Sequence, residues 1–205
     1  MSRPWTDQLT TDVEHVHSLR SMFLELDEDM DGLLTQAEFL AFNNGGLSRT
    51  FVDLLFHEHV FTWHSRCGRP NSVAGQQQHT KMDFSCFLEF VLAWESKKHP
   101  VSLGYFFRAF DHRKRKGYLT REDLHTLFSD VHQMWADRGE YEINGDDVKD
   151  ELFDMIAPAA ADRITLADLV RSRMGDTVLS VLSDVHGFWR YDSRESLLAE
   201  AEEEQ

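Results

Sequence analysis

The sequence predicts an all-α protein built from paired helix-loop-helix units, with short two-stranded contacts between the loops of each pair. Three observations carry that prediction. Residues Asp27 to Glu38, DEDMDGLLTQAE, form an acidic segment with apolar residues at helical spacing on both sides. The same apolar spacing recurs 84 residues later, and the residues after the loop recur at an offset of 85. Each of these copies is followed by a further helix pair whose loop carries an apolar residue where the first loop carries Leu34: Met82 and Ile164.

The first loop has the ligand spacing of a calcium-binding EF-hand. Asp27, Asp29 and Asp31 occupy loop positions 1, 3 and 5. Gly32 sits at position 6, where the chain must turn with positive φ. Leu33 at position 7 offers its backbone carbonyl, Thr35 at position 9 a hydroxyl through water, and Glu38 at position 12 a bidentate carboxylate. A hard cation needs such an oxygen set, so one Ca2+ site is expected, with Mg2+ as the alternative occupant. Leu19, Met22, Phe23 and Leu26 make the apolar face of the entering helix, and Phe39, Leu40 and Phe42 start the leaving one.

The remaining elements follow in order. Residues 1–11 read as a flexible arm with Trp5 as an anchor, and helix one begins near Asp12. Asn43-Asn44-Gly45-Gly46 breaks the helix after the loop. Ser48 or Thr50 caps the next, which carries Val52, Leu55 and Phe56 inward. A polar connector over 62–80 has no ligand spacing. Met82 then pairs with Leu34, and Phe84, Phe87, Leu88, Val91 and Trp94 form a leaving helix. This second hand packs and binds nothing.

After a short basic linker, Pro100 suits a first helical turn. Leu103, Phe106, Phe107, Phe110 and Asp111 copy the first hand up to its loop, and Gly117, Leu119, Thr120 and Asp123 copy it afterwards. The third loop therefore has one extra residue. Arg113 and Arg115 stand where acids are needed, so it holds no calcium. The fourth hand ends in Ile164, Thr165, Leu166 and Asp168. Its Ala157 to Ala161 supply no side-chain oxygen, and Ile164 is expected opposite Leu119. The fold class is thus EF-hand: two lobes, four hands, three of them degenerate. The divisions are 1–11, 12–96, 97–173 and 174–205, the last a docking segment with an acidic tail. In that segment Thr177 to Leu182 read as a short helix. Phe188, Trp189 and Tyr191 either close over the second lobe's core or form a partner surface.

Composition narrows the function. The net charge of −15 argues against nucleic acid as a partner. No apolar run is long enough to span a bilayer, and the N-terminus lacks a signal-peptide core. Cys67 and Cys86 make no disulfide framework. These features fit a soluble cytoplasmic protein. Eight basic residues and one acid fall within Lys97 to Arg121, either a solvated stretch or a patch for an acidic partner. His57, His59, His64, Cys67 and His79 are either scattered surface residues or a zinc site, although their spacing matches no closed structural set. No nucleophile elbow, phosphate loop or HExxH is present, so the protein is not expected to be an enzyme.

The order of one good hand, a degenerate partner, GYLTREDL, VKDELFDMI, ITLADL and GDTVLSVLSDVHGFWRYDSRESL resembles the C-terminal EF-hand half of the B'' regulatory subunits of protein phosphatase 2A. The likeness covers about residues 12–198, leans to the gamma type and its plant relatives, and is most specific in the final stretch. The resemblance implies a non-catalytic, calcium-responsive subunit that binds the phosphatase scaffold and catalytic subunits. It further implies direction of the enzyme to substrates or to microtubule or centrosomal sites. First-hand ligands fall on Asp27, Asp29, Asp31, Leu33, Thr35 and Glu38. The chain departs from the family in its longer His-rich connector and basic third loop. It also starts just before the first hand, where family members have a further region. It therefore reads as a fragment or as a short homologue, and a free-standing EF-hand adaptor of the cytoskeleton is the alternative.

Overall fold

The computed structural model describes residues 13–60, 81–111 and 115–194. Trp5, His64, Cys67, His79, Arg113 and Lys114 lie outside these residues. In chain order the helices are α1 (Val13–Leu26), α2 (Gln36–Phe39), α3 (Phe42–Gly45), α4 (Arg49–Leu55), α5 (Phe84–Glu95), α6 (Pro100–Phe110), α7 (Arg121–Asp137), α8 (Gly145–Ile156), α9 (Leu166–Ser172), α10 (Gly175–Ser183) and α11 (Val185–Asp192). Four two-residue strands lie in the loops: β1 (Leu33–Leu34), β2 (Met82–Asp83), β3 (Tyr118–Leu119) and β4 (Ile164–Thr165). No helix among the described residues is long and apolar enough to cross a membrane.

The strands pair as the sequence predicts. β1 and β2 run antiparallel with Leu34 opposite Met82, and β3 and β4 place Leu119 opposite Ile164. All four of these side chains are buried. Each pairing satisfies loop backbone groups that a lone hand would leave open and sets two leaving helices at a fixed distance.

Helix starts follow from capping chemistry. Thr35, Thr120 and Thr165 each accept a hydrogen bond from the backbone N–H three residues on, and the acid there bonds back to the cap. This explains why Asp123 and Asp168 persist in loops without ligand spacing: the acid at loop position 12 is also a helix cap. Ser48, Asp83 and Asn144 cap α4, α5 and α8. His99 caps α6, with Pro100 in its first turn.

Three features differ from expectation. Asn43 and Asn44 break the chain as predicted, but a single turn closes across the break as α3, with both asparagines left-handed (φ 54° and 55°). The helix after Ser48 ends at Leu55 and widens into a π turn over Phe56–Val60. The aromatic residues 188–191 belong to a helix of their own, α11. The two pairs also share one core. Phe51 of α4 meets Phe106 and Phe110 of α6 at ring separations of 6.0 and 5.8 Å. Thr50 donates through its N–H and hydroxyl to Asp130 of α7, at 2.8 and 2.7 Å.

The C-terminal helices fasten onto the first pair. Ser48 N–H donates to Ser183 O and Val185 N–H to Gly46 O, both at 2.9 Å, around a bridge between Leu47 and Asp184. Asp184, fully buried, accepts from Asn43 Nδ2 at 2.9 Å. A methyl group at Gly46 would lie 2.3 Å from the His186 ring and 2.4 Å from the Asp184 carboxylate, so the close approach requires glycine.

Candidate metal centre

The loop between α1 and α2 arranges its acids by backbone donors. Gly32 takes φ +79°, the left-handed conformation its position requires. That turn aims two N–H groups at Asp27: Asp31 donates to Oδ1 at 3.2 Å and Gly32 to Oδ2 at 2.9 Å. Asp29 accepts from Asp31 N–H, and Asp31 from Leu33 N–H. Glu38 reaches back over the loop. One of its oxygens accepts from Glu28 N–H at 3.1 Å, and the other from the N–H and hydroxyl of Thr35, both at 2.7 Å. Burial opposes the charged form of Glu38, but the donors of Thr35 and Glu28 outweigh it and lower its pKa.

Asp27, Asp29 and Glu38 each bring a carboxylate oxygen within 4.8 Å of the others, the one such acidic or metal-ligating cluster among the described residues. Hard oxygen donors of this kind suit calcium or magnesium. Asp31, expected beside them, stands outside the cluster. It is bonded to Lys81 of the neighbouring loop, whose Nζ also lies 3.5 Å from Asp29 Oδ2. The bond lowers the Asp31 pKa and raises that of Lys81. The sequence contained one signal for this lysine. Pairing Leu34 with Met82 sets Lys81 opposite Thr35, within reach of the loop's acids.

In the third and fourth loops the acids are met by protein cations and N–H groups. In the third, Asp111 repeats the role of Asp27, accepting from Lys116 N–H at 3.0 Å and Gly117 N–H at 2.6 Å. Arg115, two residues before Gly117, is left-handed (φ 44°), as Met30 is two residues before Gly32 (φ 57°). Lys116 Nζ lies 2.6 Å from Asp123. Burial disfavours the Asp123 charge, but Lys116 and Thr120 prevail and lower its pKa to about 2. Arg115 pairs with Glu58 at 3.1 Å, so part of the basic stretch is engaged internally. In the fourth loop Asp168 accepts from Ala159 N–H and Arg171, at 3.1 and 2.7 Å.

Of the C-terminal aromatics, Phe188 and Tyr191 are buried, and Trp189 is 45% exposed. Phe188 fits between Phe128 and Trp135, which is closure over the second pair. Among the His-rich residues, His57 faces Asp53, and His59 stacks on Tyr105 while bonding its carbonyl. The Cys86 side chain is buried.

Fold and loop geometry together define a four-hand EF-hand protein with a single carboxylate-rich loop among the described residues. No protein-family model matches the chain. It is 46% identical over 179 residues to TON2 of Arabidopsis thaliana, a probable B''-type regulatory subunit of serine/threonine-protein phosphatase 2A, covering 87% of this chain and 35% of that protein. It is 37% identical over 177 residues to the gamma-type B'' regulatory subunit of Xenopus tropicalis, covering 86% of this chain and 36% of that one. A solved PP2A PR70 holoenzyme contains a chain of the same fold, with a TM-score of 0.71 at 24% identity, covering 85% of this chain and 59% of that one. Over the matched residues the chain is a homologue of the B'' regulatory subunits of protein phosphatase 2A. It spans about a third of the length of the curated relatives it matches.

Proposed function

We propose that this chain is the calcium-binding EF-hand part of a non-catalytic regulatory subunit of a type 2A serine/threonine phosphatase. The 46% identity to a B'' regulatory subunit over 179 residues carries the reading. Its partners are the scaffold and catalytic subunits, and its work is to direct the enzyme to substrates. One Ca2+ is held by Asp27, Asp29 and Glu38, with Asp31 joining them as it exchanges Lys81 for the ion and the Leu33 carbonyl and Thr35 completing the set. When bound, the ion supplies a fixed positive centre joining α1 to α2. The chain's own residues do the positioning: the turn at Gly32 orients Asp27, and Glu38 closes the loop over it. The Lys116 and Arg171 contacts support silent third and fourth loops, because each places a protein cation on the acid at position 12.

Affinity capture of the chain recovers the scaffold and catalytic subunits; repeated capture with neither contradicts the assignment. Calorimetry gives one calcium per chain, abolished or strongly weakened by Glu38→Gln. A second calcium, or unchanged binding in that variant, contradicts the single site. Placement on microtubules or at the centrosome is the part of the proposal resting on family likeness, and co-sedimentation with polymerised tubulin tests it.

A further inference from the structure

Away from the loops, a cavity of about 400 Å³ opens between the end of α5, the start of α10 and the outer face of α11. Trp94, Lys97, Asp176, Thr177, Ser180 and Arg190 line it. Lys97 is its unusual member. The ammonium lies 3.3 Å from the centroid of the Trp94 ring and donates to Ser180 Oγ at 3.1 Å. Among the described residues it has no carboxylate oxygen within 4.0 Å. Desolvation lowers its pKa to about 8, against the more distant negative charges of Asp184 and Asp176 and together with the positive charge of Arg190.

A half-buried cation without a counter-ion is unfavourable unless something supplies the opposite charge. Lys97 commits one of its three N–H donors to Ser180. Arg190, exposed on α11, uses Nε on the His186 carbonyl at 3.4 Å, and its terminal nitrogens make no hydrogen bond among the described residues. The Thr177 hydroxyl is likewise uncommitted there. Arg194, also at the cavity, is held by Glu151 at 2.7 Å and contributes less. Asp176 stands against these cations, yet two cations against one acid leave the lining net positive, which attracts a dianion more strongly than a monoanion.

We propose that this cavity binds a phosphate monoester, with Lys97 and Arg190 taking its charge and Thr177 donating to a third oxygen. A phosphate monoester carries about −1.5 to −2 charges at neutral pH and three strong acceptors, which matches two cations and a hydroxyl set against one acid. The Trp94 ring forms an apolar wall for the carbon side of the ester. A phosphorylated protein side chain and a free phosphate compound share this chemistry.

The test is amide NMR on the full 205-residue chain in calcium-free buffer. The probes are inorganic phosphate, N-acetyl-O-phosphoserine methylamide and the unphosphorylated serine compound. Saturable shifts at Thr177, Ser180 and Gly187 are expected with both phosphate probes and none with serine. Tighter binding of the phosphoserine probe assigns the site to phosphoprotein, and tighter binding of inorganic phosphate to a free compound. Lys97→Met and Arg190→Gln each weaken binding about tenfold or more, with calcium binding at the first loop as the check on folding. If Lys97→Met does not fold, Arg190→Gln decides, since its side chain lies on an exposed face. Absence of saturable shifts with either phosphate probe, or undiminished binding in a folded variant, overturns the proposal.

Discussion

Replacing Phe188 by alanine tests whether the C-terminal helices belong to the core. The side chain is 1% exposed, with its ring 5.0 Å from Phe128 and 4.9 Å from Trp135, both in edge-to-face geometry. Both neighbours are held in α7, so the site has little freedom to collapse. Truncating a buried phenylalanine in such a setting costs about 3–5 kcal/mol. For a chain of this size each kcal/mol lowers the midpoint by roughly 2–4 °C, so a drop of about 6–20 °C is expected. The neighbouring Trp189 is the control. It is 45% exposed, and Trp189→Ala should change stability by about 0.5 kcal/mol or less. Urea unfolding followed by circular dichroism measures both variants. A loss below about 1 kcal/mol for Phe188→Ala, or equal losses for the pair, would refute the packing argument.

Four further outcomes are expected. Lys81→Met frees Asp31 for a cation and tightens calcium binding by roughly two- to fivefold by calorimetry, the range of an exposed ion pair; weaker binding would show that Lys81 organises the loop instead. Glu38→Gln removes a carboxylate from the Asp27–Asp29–Glu38 cluster, and its calcium isotherm should be flat or shifted to far higher concentration. Burial disfavours the Asp168 charge, yet Thr165, Ala159 N–H and Arg171 lower its pKa from 3.8 to about 2. A depressed carboxylate stabilises the fold above its unfolded pKa and loses that contribution as pH falls through the folded value. Stability should therefore decline between about pH 4 and 2, and Asp168→Asn should flatten that limb and cost on the order of 1 kcal/mol at pH 7. Gly46→Ala drives a methyl group into His186 and Asp184, with a loss of about 1–3 kcal/mol in the same urea assay.

Much of this architecture is legible in the sequence, for identifiable reasons. Ligand spacing defines the loop, because an oxygen cage must close around one point. Gly32 adopts the positive φ that its position predicts. The pairings of Leu34 with Met82 and Leu119 with Ile164 follow because each is the apolar residue at the same loop position of its hand, four before the position-12 residue. The diversion of Asp31 to Lys81 does not follow, since it depends on side-chain reach across a strand pair rather than on spacing within a loop. Helix α11 shows in the sequence only as an aromatic cluster: its apolar face emerges when Phe188 and Tyr191 are separated from Trp189. Nor could periodicity show that Asp184 would be buried against Gly46, because the two are joined by no local pattern. The choice between a closing and a docking role for the aromatics is divided residue by residue, with Phe188 inside and Trp189 outside.

The bridge at Leu47 and Asp184 also bears on how the chain reaches its native state. Asn43 and Asp184 are bonded across 141 residues of sequence. Each hand closes through local contacts, which form early, while this junction must wait for α10 and α11 and bears the full entropy of a long loop. During synthesis from the N-terminus, the first pair therefore emerges with the Gly46–Ser48 edge uncovered. That edge is a temporary liability that the C-terminal helices remove when they arrive, and shortening the chain ahead of Asp184 would make it permanent.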